Sequence, residues 1–347
     1  CSGLRASWLA SRLPGKSGDE ETVFDDFAHV WTIVGLAREL KRDAPLPLVV
    51  AGESVVLFRG RDGTAAALID RCPHRGVALS LGQVENGEIR CPFHGWRFGP
   101  DGCNLYTPWN PDAKRERLGA IALPVRERDG VLWLHTAPGA ASEEPPPIDS
   151  LARGLRLCAQ SFHWRAHWTR VMENMLDSPH VAFVHRRTFG GPIARTLAAR
   201  PDARMDIDWE PHAHGVMIAA AVDSEPRPAA LNYVFPDLME LTLDFRGRLF
   251  RLLAVCIPVA ERETRLLLIT TRGFLRAPLL DFLFLRANRR IAEEDRAIVE
   301  SSIPPSVPLG GEEVSVRTDA ATLAFRRLYR ERLLGSRATL SGGANSL

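Results

Sequence analysis

Four side chains in two short loops carry the clearest chemistry of this chain: Cys72-Pro73-His74-Arg75-Gly76 and, after an interval of sixteen residues from His74, Cys91-Pro92-Phe93-His94-Gly95-Trp96. Each loop offers one thiolate and one imidazole. That set suits a [2Fe–2S] cluster with unequally ligated irons, Cys72 and Cys91 on one and His74 and His94 on the other. Neutral nitrogen ligands leave such a cluster less negative and raise its potential, so it accepts electrons and passes them on. A structural Cys₂His₂ zinc site draws on the same ligand types. Common zinc fingers, however, place both cysteines ahead of both histidines, whereas each loop here carries one of each.

A second constellation stands in Asn174-Met175-Leu176-Asp177-Ser178-Pro179-His180-Val181-Ala182-Phe183-Val184-His185. On an ideal helix His180 and His185 stand about 140° apart, so they meet at one ion only if the helix is broken between them. Pro179 makes such an irregularity reasonable. Asp177 precedes His180 by one turn, in reach of its second ring N–H. Two imidazoles and one carboxylate form the facial triad of non-haem Fe(II) oxygenases, which leaves coordination positions open. The helical pattern of residues 278–301 offers Asp295, flanked at helical spacing by Ile291, Ala292, Ile298 and Val299, and Glu294, which has Arg290 as a neighbour. An acid on an apolar stripe is costly unless paired or metal-bound, so Asp295 is the sharper candidate and Glu294 the alternative. A buried arginine partner for Asp295 is the non-metal option.

The two Cys/His loops closely resemble those of Rieske proteins. Respiratory-chain members carry an extra cysteine in each loop; Val77 and Phe93 occupy those positions here, which points to the oxygenase or ferredoxin branch. Taken with Asp177-x-x-His180-x-x-x-x-His185 and Asp295 in Glu294-Asp295-Arg296-Ala297-Ile298-Val299-Glu300, about residues 25–335 resemble the catalytic α subunits of Rieske non-haem iron oxygenases. The branch is that of vanillate and dicamba demethylases, 3-ketosteroid hydroxylase and the chlorophyllide and pheophorbide oxygenases.

The resemblance implies an α+β chain: an N-terminal antiparallel β Rieske domain, then a helix-grip (START/Bet v 1-like) catalytic domain whose curved sheet surrounds a substrate cavity. It implies a [2Fe–2S] cluster on Cys72, His74, Cys91 and His94, and a mononuclear Fe(II) on His180, His185 and Asp295. It further implies a head-to-tail homotrimer in which Asp177 links His180 to a cluster histidine of the neighbouring subunit, with Asn174 near the iron. O₂ is the cosubstrate, and NAD(P)H electrons arrive through a separate ferredoxin and/or flavin reductase. The implied reaction hydroxylates an apolar or aromatic small molecule, or removes a methyl group by oxidation. The competing reading is a Rieske electron-transfer protein with a non-catalytic ligand-binding domain.

Strand and turn signals position these groups. Residues 30–34, 55–58, 65–69 and 131–134 are apolar or β-branched, with turn signals at Asp62-Gly63 and Asp129-Gly130. The expected organisation is a tail over 1–23, the cluster domain over 24–137, a Pro-rich linker over 138–150, the catalytic domain over 151–335 and a tail over 336–347. In the catalytic domain, strands are expected at 216–222, 238–245, 249–257 and 265–271. A long helix follows over 278–301, and a last one runs from the capping candidate Asp319 to Gly335. Substrate-selecting residues belong on the strands between Val216 and Phe274, whose many Leu, Ile, Val and Phe favour an apolar ligand.

Composition fits this picture. Hydrophobic residues make up 45% and charged residues 25%, the balance of a globular chain, and a net charge of +2 without basic blocks gives no support to nucleic-acid binding. Six cysteines, two of them assigned to the cluster, do not make a disulfide framework. Cys103 follows the loops closely, yet both irons are already full. The longest apolar runs, 252–259 and 279–285 with Asp281 inside it, fall short of a membrane span. A cytoplasmic protein is expected; Arg5, Arg12 and Lys16 among serines give plastid or other organellar import as the alternative. The pairs His212/His214 and His163/His167 are read as hydrogen-bonding or packing residues.

Overall fold

Short apolar strands closed by tight turns build the first of two compact units, which meet in sequence at Pro145 and Pro146. The computed structural model describes residues 27–151, 154–223, 225–244, 248–308, 310 and 313–334, so the terminal tails and Gly335 lie outside the described residues. In the first unit β1 (Trp31–Leu36), β2 (Leu46–Val50), β3 (Glu53–Arg59), β4 (Ala65–Ile69), β5 (Gln83–Glu85), β6 (Glu88–Arg90), β7 (Arg97–Phe98), β8 (Asn104–Tyr106), β9 (Ala122–Leu123), β10 (Val125–Arg128) and β11 (Val131–His135) form three antiparallel sheets. Their orders are β1-β11-β10, β2-β3-β4-β9 and β5-β6-β7-β8.

The Asn86-Gly87 turn joins β5 to β6 with φ of 52° and 79°, the left-handed pair that matches hairpin twist. A Cβ on Gly87 would lie 2.0 Å from the Arg61 amide nitrogen, so both conformation and space require glycine there. Val56, Phe58, Leu68, Leu79, Ile89 and Phe98 pack into one core that also contains Cys72 and Cys91. The Pro-rich stretch does not swing free of this unit. Trp31 Nε1 donates to the Glu143 carbonyl at 2.8 Å, and an Arg128 guanidinium nitrogen to the Pro145 carbonyl at 2.8 Å.

The second unit is one antiparallel sheet with four α-helices, which gives the α+β class. Its strands are β12 (Arg156–Trp164), β13 (Met205–His212), β14 (Gly215–Val222), β15 (Glu225–Val234), β16 (Leu238–Asp244), β17 (Leu249–Ala260) and β18 (Glu263–Arg272), in the order β12-β18-β17-β16-β15-β14-β13. The helices are α1 (Trp168–Leu176), α2 (Gly191–Ala199), α3 (Asp281–Val299) and α4 (Ala320–Leu328).

Helix α3 is tied to the sheet by Asn288 Nδ2, which donates to Thr270 Oγ1 at 2.8 Å, and by Asp281, which accepts from Arg156 and the fully buried Arg272. The acid that interrupts the apolar run 279–285 thus pairs with two arginines. Helix α1 is locked by a ring of charges: Arg170 reaches Glu173 at 3.1 Å and Glu313 at 2.7 Å, while Arg326 pairs with both acids.

Two boundaries differ from expectation. The helix expected over 278–301 opens with a separate 3₁₀ turn, Pro278–Leu280, and Ile298 is 52% exposed, so it is off the apolar stripe. Asp319 does not cap α4 with its side chain. Its Oδ2 accepts instead from the Val316 amide one turn earlier, closing the preceding 3₁₀ turn, and a π turn over Tyr329–Leu334 continues the helix.

Candidate metal centres

The two Cys/His loops fold as copies of one turn. Cys72 N donates to Val77 O at 2.8 Å and Gly76 N to Cys72 O at 2.9 Å; Cys91 N donates to Trp96 O at 2.8 Å and Gly95 N to Cys91 O at 3.1 Å. Gly76 and Gly95, each four residues after its cysteine, have φ of 73° and 69°, which lets each loop reverse there. The thiols face the buried core and the imidazoles the outer side, their ring centroids 4.5 Å apart. Trp96 lies flat on His74 at 4.6 Å, a screen for one side of the site.

Burial pushes the Cys72 thiol up to about 11, against the pull of the His74 amide and with help from the neighbouring Cys91. A Cys72 thiolate is therefore favoured only with metal charge beside it. His74 is shifted downward by burial, towards the neutral form that ligates, and its Nδ1 is buried with no hydrogen-bond partner.

The second site forms where α1 ends. Asp177, in extended conformation, accepts from the His180 amide at 2.9 Å, and a 3₁₀ turn, Pro179–Ala182, carries His180. The chain then coils back through Gly190, whose amide donates to the His185 carbonyl at 2.9 Å. This break removes the angular mismatch of a continuous helix. The Nε2 atoms of His180 and His185 lie 3.6 and 3.1 Å from Asp295 Oδ1 on α3, and ligating atoms of the three residues fall within 4.8 Å of one another.

Asp295 is 3% exposed, and its Oδ1 has no hydrogen-bond donor. A buried carboxylate oxygen facing two ring nitrogens is an expensive arrangement without a cation among them. A divalent metal fits it. Burial pulls the His185 imidazole down, but the Asp295 and Glu294 carboxylates outweigh it and hold His185 above the ordinary histidine value.

Two family models match the chain: a Rieske [2Fe-2S] domain over residues 30–115, and the vanillate O-demethylase oxygenase C-terminal domain over 164–241 and 242–334. Chlorophyllide a oxygenase of Chlamydomonas reinhardtii is 27% identical over 283 residues, 78% of this chain and 42% of that protein. Methylxanthine N1-demethylase NdmA of Pseudomonas putida is 26% identical over 329 residues, 90% of this chain and 92% of that one. A solved structure of NdmA superposes with a TM-score of 0.75 at 26% identity, covering 90% of this chain and 94% of the other. The chain thus spans under half of the algal relative and nearly all of the bacterial one. It belongs to the Rieske non-haem iron oxygenases.

The cofactors of a Rieske oxygenase are a [2Fe–2S] cluster and a mononuclear iron, with O₂ as cosubstrate, and both donor sets described above fit them. Asn174 sits on α1 with its Nδ2 buried and without a hydrogen-bond partner. Asp177 Oδ1 lies 3.1 Å from His180 Nδ1, as its one-turn spacing predicts. Glu294, the alternative third ligand, is not gathered with the two Nε2 atoms; it meets His185 on the far side of the ring. That contact was not legible in the sequence, because nothing in the α3 pattern reveals which surface its polar edge faces.

Three further histidines are engaged elsewhere. His212 Nε2 lies 2.8 Å from Asn232 Oδ1, and His163 Nδ1 3.1 Å from Glu263 Oε1. His167 is the N-cap of α1, where its Nδ1 accepts from the Thr169 amide at 3.3 Å.

Proposed function

We propose that the chain is the catalytic subunit of an oxygenase that hydroxylates, or oxidatively demethylates, an apolar or aromatic small molecule with electrons from a separate ferredoxin or flavin reductase. The observation that carries this reading is the meeting of His180, His185 and the buried, donor-free Asp295 in a chain that also holds the Cys72/His74/Cys91/His94 loops. An electron relay alone would have no use for that second site. Iron held there supplies reductive activation of O₂.

The protein's own groups set the conditions. His180, His185 and Asp295 would hold the metal with three ligands, which would leave coordination positions for O₂ and substrate. Asp177 orients His180, and its side chain, 28% exposed, is available to a histidine of a neighbouring subunit's cluster. Asn174 offers an unpaired amide on the same helix.

Substrate class follows from the sheet. Leu231, Leu241, Leu252 and Thr270 stand directly opposite one another across β15, β16, β17 and β18 and share one face. Thr270 is the residue that meets Asn288, so this row reaches α3 at its β18 end. The three leucines are only half-buried, as expected for the wall of an apolar cavity.

Head-to-tail trimerisation is part of the proposal, because electrons must reach the second site from a nearby cluster. Among the described residues no helix is long and apolar enough to cross a membrane. The proposed location is the cytoplasm, with a plastid as the second reading, favoured by the chloroplastic algal relative.

The deciding test couples NADH and O₂ consumption to product mass spectrometry across a panel of methoxylated, N-methylated and unsubstituted aromatics, with isotopically labelled O₂. Expected are substrate-dependent O₂ uptake and one labelled oxygen in the product or the released aldehyde. A His180→Ala/His185→Ala double variant should retain the reduced-cluster EPR signal and lose all turnover. Undiminished product formation by that variant would overturn the proposal.

A further inference from the structure

Both proposed histidine ligands are backed by a carboxylate, but the two carboxylates are held differently. Behind His180 stands Asp177, at the end of α1 and on the same turn of chain. Behind His185 stands Glu294, from α3. Its Oε2 lies 2.8 Å from His185 Nδ1 and accepts from Thr188 Oγ1 at 2.9 Å, while Oε1 takes the Arg290 guanidinium at 3.4 Å. Thr188 Oγ1 also lies 3.1 Å from the His185 carbonyl, so one hydroxyl touches both the carboxylate and the backbone of the histidine it serves.

The His185 side chain is only 2% exposed, which leaves water little access to its ring nitrogens. An imidazole whose Nδ1 faces a carboxylate carries its proton there, and its Nε2 lone pair is then presented on the opposite edge. That edge faces Asp295 Oδ1 and His180.

We infer that Glu294, oriented by Thr188, is a positioning residue that fixes the tautomer and ring angle of His185 toward the mononuclear metal. The inference rests on the oxygenase reading of the same site. It also separates the roles of two of the three consecutive acids on α3: Asp295 would face the ion directly and Glu294 would reach it through a ring, while Glu293 pairs with Arg296. Helical geometry turns neighbouring side chains about 100° apart, so the two carboxylates approach His185 from different sides.

The test is Fe(II) binding to the second site of cluster-loaded protein, read by chelator competition and by the EPR signal of the Fe(II)–nitric oxide adduct, with no turnover required. Glu294→Leu should weaken Fe(II) binding by about 10- to 100-fold and alter the adduct signal in the direction of His185→Ala. Glu294→Gln keeps an acceptor for Nδ1–H and should restore most of the affinity and the parent signal. Thr188→Val should lie between parent and Glu294→Leu.

An unchanged affinity and signal in Glu294→Leu, with the parent binding Fe(II) normally, would overturn this inference alone. So would a Glu294→Gln variant as impaired as Glu294→Leu, since removal of the acceptor would then not be what matters. A parent protein that binds no Fe(II) beyond the cluster would instead overturn the oxygenase reading.

Discussion

A histidine proposed to hold a metal and a histidine that holds a helix are told apart by what their nitrogens face. His180 and His185 direct Nε2 at a carboxylate oxygen with no hydrogen-bond donor, whereas His167 turns Nδ1 onto the Thr169 amide in the first turn of α1. Burial, with the nearby Arg170, lowers the His167 imidazole from 6.5 to about 4. The folded state therefore prefers it neutral, and protonation as pH falls from 6.5 towards 4 costs stability, roughly 3 kcal/mol by the lower limit. His167→Asn keeps a capping acceptor that does not titrate. Denaturant midpoints of the second unit, measured across that pH interval in the full chain, should drop for the parent and stay flatter for the variant. Equal slopes would show that the cap does not govern acid sensitivity. At this scale the sequence was most legible: metal chemistry admits few residue types, so Cys72, His74, Cys91, His94, His180, His185 and Asp295 stand out before any fold is known. Glu294 stood out only as the alternative ligand and not as the partner of His185 Nδ1, because a glutamate near an arginine on a helix is ordinarily a solvated pair.

Elements explain how those residues meet, and here the sequence was read less completely. The alternating strands β14, β16, β17 and β18 follow from their apolar runs, but β15 carries Pro226 and Pro228, and β13 mixes Asp206, Asp208 and Glu210 with its apolar residues, so neither shows a clean period. The 3₁₀ turn at Pro179 was signalled by proline, yet its return path was not. That path depends on Gly190, with an ordinary φ of −78° but no room for a side chain: a Cβ would stand 2.0 Å from the Val181 carbonyl oxygen and 3.0 Å from the His185 carbonyl carbon. Both neighbours are backbone, so they cannot rotate away. Gly190→Ala should push the 181–185 segment off its course and release the mononuclear iron while sparing the cluster, whose loops lie in the other unit. Gly273→Ala, where the nearest atom is 3.8 Å away, serves as the control. Iron content per chain, with the reduced-cluster EPR signal as internal reference, reads the outcome; full iron occupancy in Gly190→Ala would show that the loop tolerates the shift.

On the scale of the whole molecule, the question is which cluster serves which iron. Asp177 gives Oδ1 to His180 and keeps an exposed side, and the proposed head-to-tail ring would bring a neighbouring subunit's surface to meet it. If electrons cross only between subunits, two dead variants can repair one another. Cys91→Ser removes the cluster and spares the second site; His180→Ala/His185→Ala does the reverse. Co-expressed at equal levels, they assemble mixed rings in which a subunit with an intact cluster precedes one with an intact iron at roughly one interface in four, and activity should recover to about that fraction of the parent. Transfer inside one subunit predicts none, because no chain in the mixture holds both centres. Asp177→Asn placed in the iron-competent partner should abolish the recovery although all metals stay bound; placed in the cluster-competent partner, it should leave recovery intact. Recovery that ignores this difference would remove Asp177 from the path, and no recovery in rings shown by mass spectrometry to be mixed would remove the inter-subunit route itself.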